Sequence, residues 1–154
     1  MTRRRLLTVS ALLFVLIVCA PARVEAQLGL GCTIGATPVA FGSYDVLASS
    51  PVDSTGTVTY ECVVGIQIVV TLSRGSSSTF TPRTMTSGAE TLAYNVYLDA
   101  ARTAIWGDGT GGTSTYSATT ILLPVTVTVY GRVPASQNVA AGGYADTIVA
   151  TIIF

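Results

Sequence analysis

Apolar and polar residues alternate along this chain with a period of two. Val58, Tyr60 and Cys62 point one way, and Thr57, Thr59 and Glu61 the other. Ile66, Ile68, Val70 and Leu72 repeat the pattern, as do Leu92, Tyr94, Val96 and Leu98. Leu123, Val125, Val127 and Val129 form a further apolar face, with Thr126, Thr128 and Tyr130 opposite. Ile148, Ala150, Ile152 and Phe154 close the chain, with Thr147 and Thr151 on the other side. Successive side chains of a strand point to opposite faces, so each set predicts a strand with one buried face. No segment carries a helical stripe.

Turn formers separate these runs. Asp53-Ser54-Thr55-Gly56 precedes the Cys62 strand, and Arg74-Gly75-Ser76-Ser77-Ser78 ends the next. Gly107-Asp108-Gly109-Thr110-Gly111-Gly112 is a Gly-rich loop, and Ala141-Gly142-Gly143 opens the last strand. Short strands at such spacing predict an all-β fold, an immunoglobulin-like antiparallel sandwich. The final apolar run has no further run after it, so it predicts an exposed edge open to pairing with another chain. A central strand with Phe154 plugging the core is the alternative reading of the same pattern.

Residues 1–26 read as a secretory signal peptide rather than as fold. Arg3, Arg4 and Arg5 make the positive start, and Ala11 to Ala20 an apolar stretch too short to span a bilayer. Val24-Glu25-Ala26 is the favoured cleavage signal, and Ala20-Pro21-Ala22 the alternative. Cys19 falls within the apolar stretch. The domain is then 27–154, long enough for one core. Thr and Ser supply 33 of its residues, which suits strands and turns.

Charge narrows the function. All eight basic residues are Arg, there is no His, and residues 27–154 carry four Arg against seven acids. A chain with a net charge of −3 over its domain offers no basic surface to a phosphate backbone, so no nucleic-acid partner is expected. The absence of His removes the commonest general base and metal ligand, and no enzymatic activity, metal or cofactor is expected. In an exported protein Cys32 and Cys62 read as one disulfide. Cys62 faces inward, where the bond is expected to staple two sheets.

Several ordered segments resemble the spore coat protein U domain. These are Cys32-Thr33-Ile34 with Pro38-Val39-Ala40-Phe41-Gly42-Ser43-Tyr44-Asp45, and Asp53 to Val58 leading into Cys62. Tyr94 to Asp99, Trp106 to Gly111, Val129 to Pro134 and Ala140 to Thr147 continue the match. The resemblance implies a secreted, pilin-like subunit of the archaic chaperone–usher class whose sandwich lacks its last strand. A periplasmic chaperone would lend that strand, and after passage to an outer-membrane usher a neighbouring subunit would replace it. Carried onto this chain, the partner-strand edge is Ile148, Ala150, Ile152 and Phe154, with Phe154 as anchor. The donor segment is what precedes Cys32. Cleavage after Ala26 leaves Leu28 and Leu30 as its apolar positions, whereas cleavage after Ala22 adds Val24 and Ala26. The implied role is a structural pilus subunit at the cell surface, serving adhesion or biofilm formation. A coat protein of a resting cell, built on the same fold without an usher, is the alternative.

Other features read as structure. The Gly107–Gly112 loop lacks the Lys and following helix of a phosphate cradle. Asp99 and Asp108 are not placed as a carboxylate pair by anything in the sequence, and Asp108 alone makes a poor calcium site. Tyr44, Tyr60, Tyr94, Tyr97 and Tyr130 are expected to make cross-strand pairs, and Trp106 to be a half-buried loop anchor.

Overall fold

A computed structural model that describes residues 31–63 and 65–154 has eight strands, five of them where the alternation predicts one; Asp53-Ser54-Thr55-Gly56, expected as a turn, lies instead within the strand that ends at Cys62. The eight strands are β1 (Cys32–Thr37), β2 (Val52–Cys62), β3 (Gln67–Leu72), β4 (Arg83–Ser87), β5 (Glu90–Tyr97), β6 (Tyr116–Thr119), β7 (Val125–Val133) and β8 (Ala150–Ile153). No helix occurs among the described residues. The proposed leader, residues 1–26, lies outside them.

Two antiparallel sheets face each other. One runs β1-β2-β7-β5-β4 and the other β6-β3-β8. In an immunoglobulin sandwich strands A, B, E and D form one sheet and C, F and G the other. Here β1, β2, β7 and β5 take the places of A, B, E and D, while β3 and β8 take those of C and F. The place of G, beside β8, holds no strand among the described residues.

The core comes from the inward faces that the alternation predicts. Val58, Tyr60 and Cys62 of β2, Ile68, Val70 and Leu72 of β3, and Leu92, Tyr94 and Val96 of β5 are all buried. Val129 and Val133 of β7 join them. Leu123 departs from the prediction: it lies outside β7 and is 64% exposed. Pro124 stands between it and the strand, and without an N–H it ends the ladder there.

The disulfide forms between Cys32 and Cys62, as expected, but within one sheet. The two residues are directly opposite in the β1–β2 register. It therefore fixes the edge strand β1 to its neighbour and does not bridge the two layers.

Two further departures concern the core. Trp106 is fully buried rather than half-buried, and its Nε1–H donates to the carbonyl of Val70 at 3.0 Å. Arg83 is also fully buried, an outcome that polar alternation does not anticipate. It donates to the carbonyls of Ser73 and Trp106 and to Oδ1 of Asn95, at 2.7–3.0 Å. Its guanidinium lies 5.0 Å from the Phe80 ring centroid. One cation thereby ties β4 and β5 of one sheet to the end of β3 in the other.

Candidate functional site: an open groove beside the last strand

The register of β8 decides what its free edge offers. Ser73 donates its backbone N–H to Val149 at 2.9 Å, which makes that opposed pair a bonded one. Bonded pairs alternate in an antiparallel ladder, so Thr71 with Thr151 and Val69 with Ile153 are the next two. Val149, Thr151 and Ile153 thus turn their main-chain groups toward β3. Ile148, Ala150 and Ile152 turn theirs to the opposite side, where no strand lies among the described residues. The side chains of the same three pack against the core. Three of the four predicted edge residues are thus brought together, each with main chain at the edge and side chain in the sandwich. Phe154 differs: it follows the end of β8 and is 59% exposed.

Beside this edge runs a groove of about 960 Å³. One wall is residues 139–150, which include Ile148 and Ala150; the other is residues 36–46. Its floor is core: Val58, Leu72, Met85, Leu92, Val96 and Val129. Phe41 meets Tyr94 edge-on in the same space, with ring centroids 6.0 Å apart.

The second wall was not legible as a site in the sequence. After β1 the chain leaves the regular ladder and crosses the inner face of the larger sheet. It does so over two glycines of that sheet, Gly56 in β2 and Gly131 in β7. A Cβ on Gly56 would stand 2.7 Å from the carbonyl oxygen of Thr37, and one on Gly131 2.5 Å from Cγ1 of Val39. Only hydrogen at these positions lets residues 37–41 lie so close. Ser54 holds this wall by donating from Oγ to the carbonyl of Ala40 at 2.6 Å. Tyr44 holds its far end, donating to the carbonyl of Pro134 and accepting from the backbone N–H of Gln137. A signal was present in the sequence, Val39 and Phe41 on either side of a small residue. The run between Pro38 and Gly42 is too short to stand out by periodicity.

Of the two carboxylates lining the groove, Asp45 and Asp146, Asp146 joins separate segments of the chain. It accepts from Tyr94 Oη at 2.6 Å and from the backbone N–H and Oγ of Ser76 at 2.8 and 2.9 Å. Partial burial opposes its ionisation, yet these bonds and that from the Thr147 N–H outweigh it and hold its carboxyl below the ordinary value. Burial, reinforced by the same carboxylate, pushes the Tyr94 hydroxyl well up. Asp146 therefore works as a clasp between the segment leading to β8 and the turn after β3.

The remaining candidates fall into structural places. Asp99 accepts from the backbone N–H groups of Thr103 and Ala104, and Asp108 from that of Thr110, so both close turns. Tyr97 and Tyr130 are a cross-strand pair, whereas Tyr44 braces the groove wall instead. Among the described residues no group of three or more His, Cys, Asp or Glu is arranged to hold a metal ion. Leu28 and Leu30 lie outside the described residues.

What this arrangement can do is accept an extended chain. It offers main-chain groups with no strand partner among the described residues, beside an apolar groove. Comparison with known proteins gives the same fold and a family. Protein U of Myxococcus xanthus is 36% identical over 146 residues, which cover 84% of this chain and 80% of that protein. A structural likeness is to a chain in the CsuC–CsuE chaperone–tip adhesion subunit pre-assembly complex, from archaic chaperone–usher Csu pili of Acinetobacter baumannii. The TM-score is 0.57 at 24% identity, over 80% of this chain and 40% of that one. This chain thus spans less than half of that chain's length, and the likeness is one of fold. The Spore Coat Protein U domain matches residues 19–151, most of the sequence, and the chain belongs to that family.

Proposed function

We propose that this chain is a structural subunit of a secreted surface pilus, assembled by strand donation into the open groove. The observation that carries the reading is the groove itself: an apolar channel between residues 36–46 and 139–150, bordered by an edge of β8 that has no strand partner among the described residues. A strand laid there gains main-chain bonds to Ile148, Ala150 and Ile152, and its inward side chains pack into the apolar groove. Each large apolar side chain so buried is worth about 1.5–3 kcal/mol. Family membership and the fold shared with a chain of the Csu complex support the same reading.

In this reading residues 1–26 direct export and are removed. A periplasmic chaperone first fills the groove, an outer-membrane usher presents the subunit, and the segment before Cys32 of a neighbouring subunit takes the chaperone's place. Leu28 and Leu30 are the donor positions, joined by Val24 and Ala26 if cleavage follows Ala22. The pilus serves adhesion or biofilm formation.

The test is export of the full chain to an oxidising periplasm, with and without a chaperone of this class, followed by size exclusion. Recovery only as a one-to-one complex is the expected result. A stable lone monomer would mean that the groove is already covered, and would favour a coat protein that needs no usher.

A further inference from the structure

Large apolar residues are exposed at the two opposite ends of the sandwich. At the end where the described chain begins, Ile121, Leu122 and Leu123 are 52, 69 and 64% exposed in one loop. Three consecutive exposed apolar residues at a loop tip are unusual unless the loop meets something. Ile153 and Phe154 lie at the same end, 54 and 59% exposed. The register places them there. Cys62 pairs with Cys32 at the start of β1, Gln67 with Thr119 just before the loop, and Val69 with Ile153. At the other end, in the turn before β2, Leu47 is 89% exposed and Val46 adjoins it.

Strand direction brings these two ends together. β8 runs antiparallel to β3, from the Leu72 level toward the Val69 level, and so toward the end that carries Cys32. A strand completing the sandwich in the position of G runs antiparallel to β8. Its last residue therefore emerges at the Leu47 end. That strand is the segment before Cys32 of another copy, on the reading proposed above. Cys32 sits at the very start of β1, tied to Cys62. At about 3.3 Å per residue, few residues separate the emerging strand from the next copy's body.

We propose that the Ile121–Leu123 loop and the β8 terminus of one copy seat against the Leu47 turn of the next. This is a second contact between subunits, separate from the donated strand. The contact is head-to-tail, so it repeats along an open filament rather than closing a dimer. The donated strand holds the two ends at high effective concentration, so a small apolar patch suffices to dock them. The consequence is a fibre whose adjacent subunits are set at a fixed angle instead of swinging on a flexible joint.

The experiment is a cysteine pair, Leu47→Cys with Leu122→Cys, in the full chain made by its own cells with its own assembly proteins. Both sites are exposed, so the fold is kept. Fibres are sheared off, mildly oxidised and run on a non-reducing gel with and without boiling. The expected result is multimers in every unboiled sample, and a ladder of several copies surviving boiling only in the double variant. Multimers that collapse to monomer on boiling in the double variant would overturn the end contact while leaving strand donation standing. Boil-resistant dimers of Leu122→Cys alone would mean that like ends meet, which also overturns it. Unboiled wild-type protein that is monomeric would refute strand donation itself, and this contact with it.

Discussion

Replacing Gly131 with Ala tests whether residues 37–41 form a wall of the groove. The new Cβ would lie 2.5 Å from Cγ1 of Val39 and 2.8 Å from Cζ of Phe41. Ordinary carbon contacts are 3.5–4.0 Å, so the neighbours must retreat by about 1 Å. Neither can do so cheaply, because Val is stiff at χ1 and the Phe ring is rigid. Overpacking of this kind costs about 1–3 kcal/mol. Stiffening the unfolded chain returns about 0.4–1 kcal/mol, which leaves a net loss. The loss is expected to be relieved by Val39→Ala, which vacates the contested volume. The assay is urea unfolding of the exported protein followed by circular dichroism, for both single variants and the double. The expected signature is a double variant more stable than the sum of the singles by about 1 kcal/mol, the size of coupling seen between residues in contact. Strict additivity, or a Gly131→Ala variant as stable as the wild type, would refute the claim that this segment is docked on the bare backbone of β7.

Three further outcomes follow from the packing. Cys32→Ser opens a loop of 30 residues, and the chain-entropy account gives a loss of about 3–4 kcal/mol; unfolding of the wild type should then respond to reductant. Arg83→Met leaves the carbonyls of Ser73 and Trp106 and the Asn95 side chain without their buried donor, at about 1–3 kcal/mol for each group left unpaired. A thermal midpoint unchanged by that substitution would mean that water takes the place of the guanidinium. Asp146 contributes a pH dependence of known sign. Its folded value lies below the ordinary 3.8, so its contribution is fully present above that pH and is lost as the pH falls through the lower folded value. Asp146→Asn keeps an acceptor and removes the titration, so the difference in stability between wild type and variant should shrink toward low pH; a constant difference would deny the carboxylate this role.

By itself the sequence determined five of the eight strands, β2, β3, β5, β7 and β8, with their buried faces, because period-two alternation is a local property that burial on one side of a sheet must respect; β1, β4 and β6 carry no such run. Val58, Tyr60, Ile68, Val70, Leu92 and Val96 are buried as their spacing requires. It also determined the cysteine pair, and it placed an apolar edge at Ile148, Ala150 and Ile152. Register and crossing decided the rest. The disulfide joins neighbours in one sheet because β1 pairs with β2 so that Cys32 faces Cys62, which no spacing of two cysteines reveals. The second groove wall at Val39 and Phe41 depends on Gly56 and Gly131, which lie far from it in sequence and matter only for the atoms they lack. The burial of Arg83 is decided by Ser73, Asn95 and Trp106, which arrive around it from three separate segments. The edge of β8 becomes a groove for the same reason. One wall is written in a strand pattern, and the other is brought to it by the crossing of a segment that has none.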